Sequence, residues 1–165
     1  MLHLREILSA WAADRAAVPA VLTLTCADRR RSRLRATLDD GREAAVMLPR
    51  GSILRDGDCL VDRDSSVAVA IRAAPETLSV ARTDSHHTLC RAAYHLGNRH
   101  VPVQLGVDWL AYEHDHVLDD MVRALGLVVS VESKPFEPET GGYGHANDRA
   151  HAGGHAHHES HRHAH

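Results

Sequence analysis

The stretch that decides the fold runs from Pro75 to Val131: PETLSVARTDSHHTLCRAAYHLGNRHVPVQLGVDWLAYEHDHVLDDMVRALGLVVSV. Its hydrophobic period changes repeatedly. From Glu76 to Ala81, Leu78 and Val80 alternate with polar residues, the period of two of a strand with one buried face. From Ser85 to Leu96, the residues Leu89, Ala92, Ala93 and Leu96 fall at helical spacing, and Gly97 is placed to end the helix. Val101-Pro-Val-Gln-Leu-Gly-Val107 alternates again, and Trp109 to Glu113 can follow as its neighbour. Asp115 can cap a second helix with Val117, Leu118, Met121, Val122 and Leu125 on its inner face; Gly126 ends it. Leu127 to Val131 is the last strand. The order βαββαβ over about 60 residues is the ferredoxin-like plan, with two helices on one face of an antiparallel sheet.

Upstream, to about Ala74, the chain reads as β. Val21 to Cys26 is a β-branched run, and in Arg31 to Leu38 the residues Leu34, Ala36 and Leu38 alternate with Arg31, Arg33 and Arg35. Asp39-Asp40-Gly41 is a turn signal, and Arg42 to Leu48 returns as a hairpin partner. Two more short strands, Cys59 to Asp62 and Val67 to Ala73, follow Gly-rich turns, a pattern that suggests a small barrel or sandwich. Pro135-Phe-Glu-Pro138 is expected to stop regular structure. The fold class expected is therefore α+β. A β-rich domain (1–74) precedes a ferredoxin-like domain (75–138), and a disordered His-rich tail (139–165) follows.

A chain of 165 residues with a net charge of −3 gives no reason to expect nucleic acid or an acidic membrane surface as partner. The start, Met1-Leu-His-Leu-Arg-Glu, lacks the basic and apolar regions of a secretory signal, and no stretch is apolar enough to cross a bilayer. Cys26, Cys59 and Cys90 are an odd, scattered set without a CxxC pair, so a reducing cytoplasm is expected. Arg29, Arg30, Arg31, Arg33 and Arg35 invite a nucleic-acid reading. With no aromatic residues interleaved to stack bases, a solvated strand face is the simpler account, and a protein partner stays open.

Eight of the 15 histidines lie in the last 25 residues, Gly141 to His165: His145, His151, His155, His157, His158, His161, His163 and His165. Between them stand small and polar residues that cannot form a core, so the tract reads as a flexible metal-binding tail. A purification tag is usually an unbroken His run; these are spaced, as in His155-Ala-His157-His158. In the body, His100 follows the first helix in a polar connection, where an uninvolved surface histidine is equally plausible. His114 and His116 flank Asp115 and could share a metal, though a His-x-His pair alone is weak. His86, His87 and Cys90 fall at helical spacing, but Cys90 reads more simply as a small buried hydrophobe, and His95 as structural. Asp119 and Asp120 suit a helix N-terminus. No His-Glu-x-x-His helix, phosphate loop or nucleophile elbow is present.

Tyr94-His-Leu-Gly-Asn-Arg-His100-Val-Pro-Val, Glu113-His-Asp-His116-Val-Leu-Asp-Asp-Met121, Leu48-Pro-Arg-Gly-Ser-Ile-Leu-Arg-Asp-Gly-Asp58 and the Gly- and His-rich tail together resemble the UreE urease accessory proteins, a family of nickel metallochaperones. The resemblance covers essentially the whole chain. It implies a first domain similar to a peptide-binding domain of co-chaperones, and a homodimer joined through the second. It implies that His100 binds nickel with its symmetry mate, that His114 and His116 form auxiliary sites in some members, and that His145 can complete the shared site. The partners implied are a urease maturation GTPase and the apo-urease accessory complex. Imidazole alone suits nickel, zinc and copper alike, so nickel comes from the resemblance. The competing classes are metal storage by the tail, a metal-dependent hydrolase and a peptide-binding co-chaperone. Storage needs no two-domain body, and the sequence offers a hydrolase no general base.

Overall fold

The computed structural model describes residues 1–8, 20–62 and 67–140. The N-terminal half is two sheets closed on one core. One sheet has the order β1 (Leu2–Leu4), β5 (Glu43–Met47), β4 (Arg33–Thr37), and the other β2 (Glu6–Leu8), β6 (Cys59–Val61), β7 (Ala68–Ala73), β3 (Ala20–Leu24). A single turn of helix, α1 (Cys26–Arg29), links β3 to β4. Leu4, Val46, Leu22, Leu60 and Ile71, drawn from both sheets, form the shared core. The alternation read in Arg31 to Leu38 is present: Leu34 and Ala36 are half-buried, Arg33, Arg35 and Thr37 exposed. The antiparallel β4–β5 hairpin turns at Gly41, whose φ of 87° suits glycine. Two pairings were not legible: β1 with β5 and β3 with β7 are parallel, which requires long connections that local sequence does not announce.

The second half follows βαββαβ order: β8 (Pro75–Arg82), α2 (His86–Gly97), β9 (Gln104–Leu105), β10 (Trp109–Glu113), α3 (His116–Ala124), β11 (Val128–Pro135). The sheet order β11-β8-β10-β9 is antiparallel throughout, as the ferredoxin-like plan requires. Ser85 and Asp115 cap the two helices through their side-chain oxygens. Ala92 and Leu96 of α2 and Val122 of α3 pack with Ala81, Leu110 and Tyr112, so both helices cover one face.

Several expectations fail locally. The strand expected over Val101 to Val107 shrinks to two residues. Val101 belongs to the helix end, Pro102 lacks an N–H, and Gly106 lies under Trp109, where a Cβ would come within 2.2 Å of the indole. Val117, assigned to the inner face of α3, is 63% exposed; Asp119 is buried in that helix instead. Cys90 is exposed, not buried, because the inward stripe of α2 is Leu89, Ala92, Ala93 and Leu96. Pro135 to Pro138 does not simply end the structure: β11 runs to Pro135, and Phe136 is fully buried.

Phe136 marks where the halves meet. With Leu78, Val80, Ala111 and the half-buried Trp109 it packs against Cys26 of α1, on the sheet face away from the helices. Beside it Arg29, 2% exposed, donates to the carbonyls of Leu54 (3.3 Å) and Phe136 and to the carboxylate of Glu137. Glu137 also accepts from Arg55 Nη1 (3.1 Å) and the Asp56 N–H (3.2 Å), and the Cys26 N–H donates to Glu76 at 2.7 Å. Removing one partner of a buried ion pair leaves a desolvated charge uncompensated. Glu137→Ala should therefore lower the unfolding free energy by about 3 kcal/mol in urea titration. Glu132→Ala, which deletes the more exposed pair with Arg82, should cost clearly less.

Candidate functional site

The end of α2 places His100. The Val101 N–H bonds to the Leu96 carbonyl (3.2 Å) and the His100 N–H to the Gly97 carbonyl (2.9 Å). This nested pair is the Schellman closure, completed by the apolar contact of Val101 with the Leu96 core. His100 occupies its left-handed position, with φ 55°, the one described non-glycine residue with positive φ. Gly97, expected to end the helix, is its last helical residue and lacks that conformation. At the end of α3 the same closure forms, from Leu127 N–H to Val122 (3.4 Å) and Gly126 N–H to Arg123 (2.9 Å), with glycine in the left-handed place at φ 101°. A side chain in that conformation costs about 1 kcal/mol. The fold thus puts an exposed imidazole where the backbone would prefer none, a feature that recurs at functional positions.

His114 opens the strand-to-helix connection, half out of the surface. Its Nδ1 lies 3.0 Å from Ser79 Oγ and 3.4 Å from Asp119 Oδ2. With a hydroxyl and a carboxylate facing Nδ1, the proton is assigned there, which leaves the lone pair on Nε2. Asp119, 2% exposed, also accepts from Tyr112 OH at 2.9 Å and lies 3.6 Å from Arg123 Nη2. Burial, then the Asp119 carboxylate, pushes the Tyr112 phenol far above its ordinary range, so it remains a donor. The sequence marks Asp119 only as a helix N-terminal carboxylate; its place beside Tyr112 is a tertiary fact. His116 is the exposed first residue of α3. Between the two histidines, hydrogen bonds from the Leu118 and Val117 N–H groups hold the Asp115 carboxyl below its ordinary range.

One further placement joins body and tail. The Glu139 N–H bonds to the Val103 carbonyl (2.9 Å), and the Glu137 N–H to Gln104 Oε1 (3.0 Å). The chain therefore leaves the body beside the segment that carries His100, and His145 is six residues beyond Glu139, a reach of at most about 20 Å. The tail histidines His145, His151, His155, His157, His158, His161, His163 and His165 lie outside the described residues. Among the described residues, no three His, Cys, Asp or Glu side chains come together to hold a metal ion; His86, His87 and Cys90 share an exposed side of α2 without doing so. What the surface offers chemically is separate imidazoles, each open to a ligand contributed from elsewhere.

The left-handed position of His100 makes a direct prediction. His100→Gly should be more stable than His100→Ala by about 1 kcal/mol, because only glycine relieves the conformation. Urea unfolding of the two variants measures it; equal stability would mean that the closure does not hold His100 in this conformation.

Comparison with known proteins gives a consistent result. The family model for the UreE urease accessory protein N-terminal domain matches residues 4–74, and that for the C-terminal domain matches residues 76–165. The urease accessory protein UreE of Alkalilimnicola ehrlichii is 59% identical over 125 residues, 76% of each chain. That of Pseudomonas putida is 56% identical over 126 residues, 76% of this chain and 78% of the relative. That of Citrobacter koseri is 51% identical over 142 residues, 86% of this chain and 93% of the relative. The chain belongs to the UreE family of urease accessory proteins, which are chaperones and not enzymes.

Proposed function

We propose that this protein is the nickel carrier of urease maturation: it binds the ion at His100 and delivers it to apo-urease. The observation that carries this reading is His100 itself, an exposed imidazole kept in a left-handed position where glycine would relieve strain. One imidazole makes a poor site. A two-fold axis doubles it, because the same patch then meets itself. A homodimer formed through residues 75–138 would bring two copies of His100 together, and tail histidines, His145 first, would supply more ligands. The exit of the chain beside Val103 supports that arrangement. His114, through the lone pair of Nε2, and His116 would form a weaker auxiliary site. In this division, residues 1–74 serve partner contact, 75–138 the dimer and its shared ion, and 139–165 capture of nickel from solution. The recipients would be the maturation GTPase and the apo-urease complex in the cytoplasm, and zinc or copper would compete for the same imidazoles in vitro.

Storage by the tail is the second reading, and the body separates the two. A protein truncated after Glu139 should remain dimeric and keep one tight nickel class by isothermal titration, while its total capacity falls. Adding His100→Ala to the truncated form should abolish that class and impair urease activation in cells lacking the wild-type protein. Full retention of both would sink the assignment. His114→Ala and His116→Ala should do less.

Release should depend on pH. Imidazole titrates near pH 6.5 and its protonated form cannot ligate. In the tail only Asp148 and Glu159 offset Arg149 and Arg162, so protonation of eight histidines builds positive charge that opposes recapture. Nickel held by the tail should leave over a broad range at about pH 6–7, with the shared ion persisting to lower pH. Equilibrium dialysis from pH 8 to pH 5 should show two steps for the full chain and the lower one for the truncated form. One step at the same pH in both would merge the two classes of site.

A further inference from the structure

The arginine cluster of the N-terminal half is not used by any of this. Its members separate in the structure. Arg29 turns inward to Glu137. Arg30, Arg31, Arg33 and Arg50, all exposed, line an open cleft of about 660 Å³ whose floor includes Leu48 and Pro49. Arg31 has one carboxylate neighbour, Asp28 at 3.4 Å, in a pair that is 62% and 34% exposed. No described carboxylate lies within ion-pair distance of Arg30, Arg33 or Arg50. Four arginines lining one concavity, with one weak counter-charge among the described residues, give it a positive potential and lower the cost of bringing an anion there.

The strand beside the cleft gives the anion a shape. β4 stands at the edge of its sheet. The Leu48 N–H bonds to the Ser32 carbonyl (2.7 Å) and the Leu38 N–H to the Arg42 carbonyl (2.8 Å). Hydrogen-bonded pairs alternate along an antiparallel ladder. With the register Leu34 to Val46 and Ala36 to Ala44, the main-chain groups of Arg33, Arg35 and Thr37 point away from β5. Among the described residues nothing pairs with them. An edge with free main-chain groups is a template for an added strand. The exposed side chains at its cleft end are arginines, the group that binds carboxylates in bidentate fashion.

We propose that this cleft and the β4 edge form a docking site for an extended acidic segment of a protein partner, which adds alongside β4 and places carboxylates among Arg30, Arg31, Arg33 and Arg50. Nucleic acid fits less well. No aromatic side chain lines the cleft to stack a base, and the chain as a whole is acidic at −3. The protein's own tail is a poor occupant, having two acids among 25 residues. The site is independent of metal handling and is tested without metal.

The test uses the full-length, metal-free chain at about pH 8, where histidines are neutral and the tail does not compete for anions. A fluorescent peptide of alternating Glu and Thr is titrated by anisotropy. Its Gln-for-Glu counterpart, an oligothymidylate and inorganic polyphosphate serve as the comparison probes. The acidic peptide should bind best, weaken with salt, and lose about tenfold or more in affinity in the Arg33→Ala/Arg50→Ala variant. Both positions are exposed, and far-ultraviolet circular dichroism with urea unfolding checks that the variant is folded. Amide exchange at Arg33, Arg35 and Thr37 should slow in the complex. Equal binding of the Gln peptide, tighter binding of the oligonucleotide or polyphosphate, an unaffected double variant, or no binding of the acidic peptide would each overturn the proposal.

Discussion

A single guanidinium sets the geometry on which everything else rests. Arg29 ends a one-turn helix in the first half and reaches residues beyond the last strand of the second, bonding to Leu54, Phe136 and Glu137 while almost fully buried. Burying a charge is costly unless its hydrogen bonds are nearly all made, and here one nitrogen, Nε, goes unmet. Such a group is weak evidence for net stability but strong evidence for a fixed arrangement, since few others would satisfy it. The Cys26 and Phe136 contacts beside it supply apolar area in the ordinary way. What Arg29 adds is direction. It holds the segment after Pro135 against the first half, and the chain then passes Gln104 and Val103 before the His-rich tail begins.

That constraint brings Glu139 against Val103, three residues along the chain from His100. A ligand-rich segment leaving from the opposite side of the body would need a longer reach, and its effective concentration at the site would fall accordingly. In the proposed division, His100, held in a left-handed turn, gives a defined but incomplete site, and the tail imidazoles give capacity.

The second half of the chain was legible because its periods are long and its caps explicit. Ser85 and Asp115 sit where their oxygens meet free N–H groups, and the apolar spacing of α2 and α3 leaves little choice of face. Legibility failed where a tertiary partner decides. Val117 has the right character for a core position but sits in the first turn of α3 and is exposed. Asp119 has the wrong character and is buried, because Tyr112 and Arg123 come to meet it. Cys90 sits on the side of α2 away from its stripe. Arg29 could not be told from its neighbours Arg30 and Arg31 by composition, since its counter-charge, Glu137, is 108 residues away.

The same limit explains the helix ends. Glycine is the local signal for a Schellman closure; it marks the right place at Gly126 and a place three residues too early at Gly97. Nothing in a sequence marks a histidine as left-handed. Yet the two closures are built from the same hydrogen bonds and the same apolar contact, so their difference isolates the one substituted position. Backbone energetics favour glycine at both. A stability argument accounts for Gly126 and leaves His100 unexplained; the proposed nickel role would require an outward imidazole at the end of α2. The strain is small, about 1 kcal/mol, and a fold already fixed by two cores and the Arg29 bridge tolerates it.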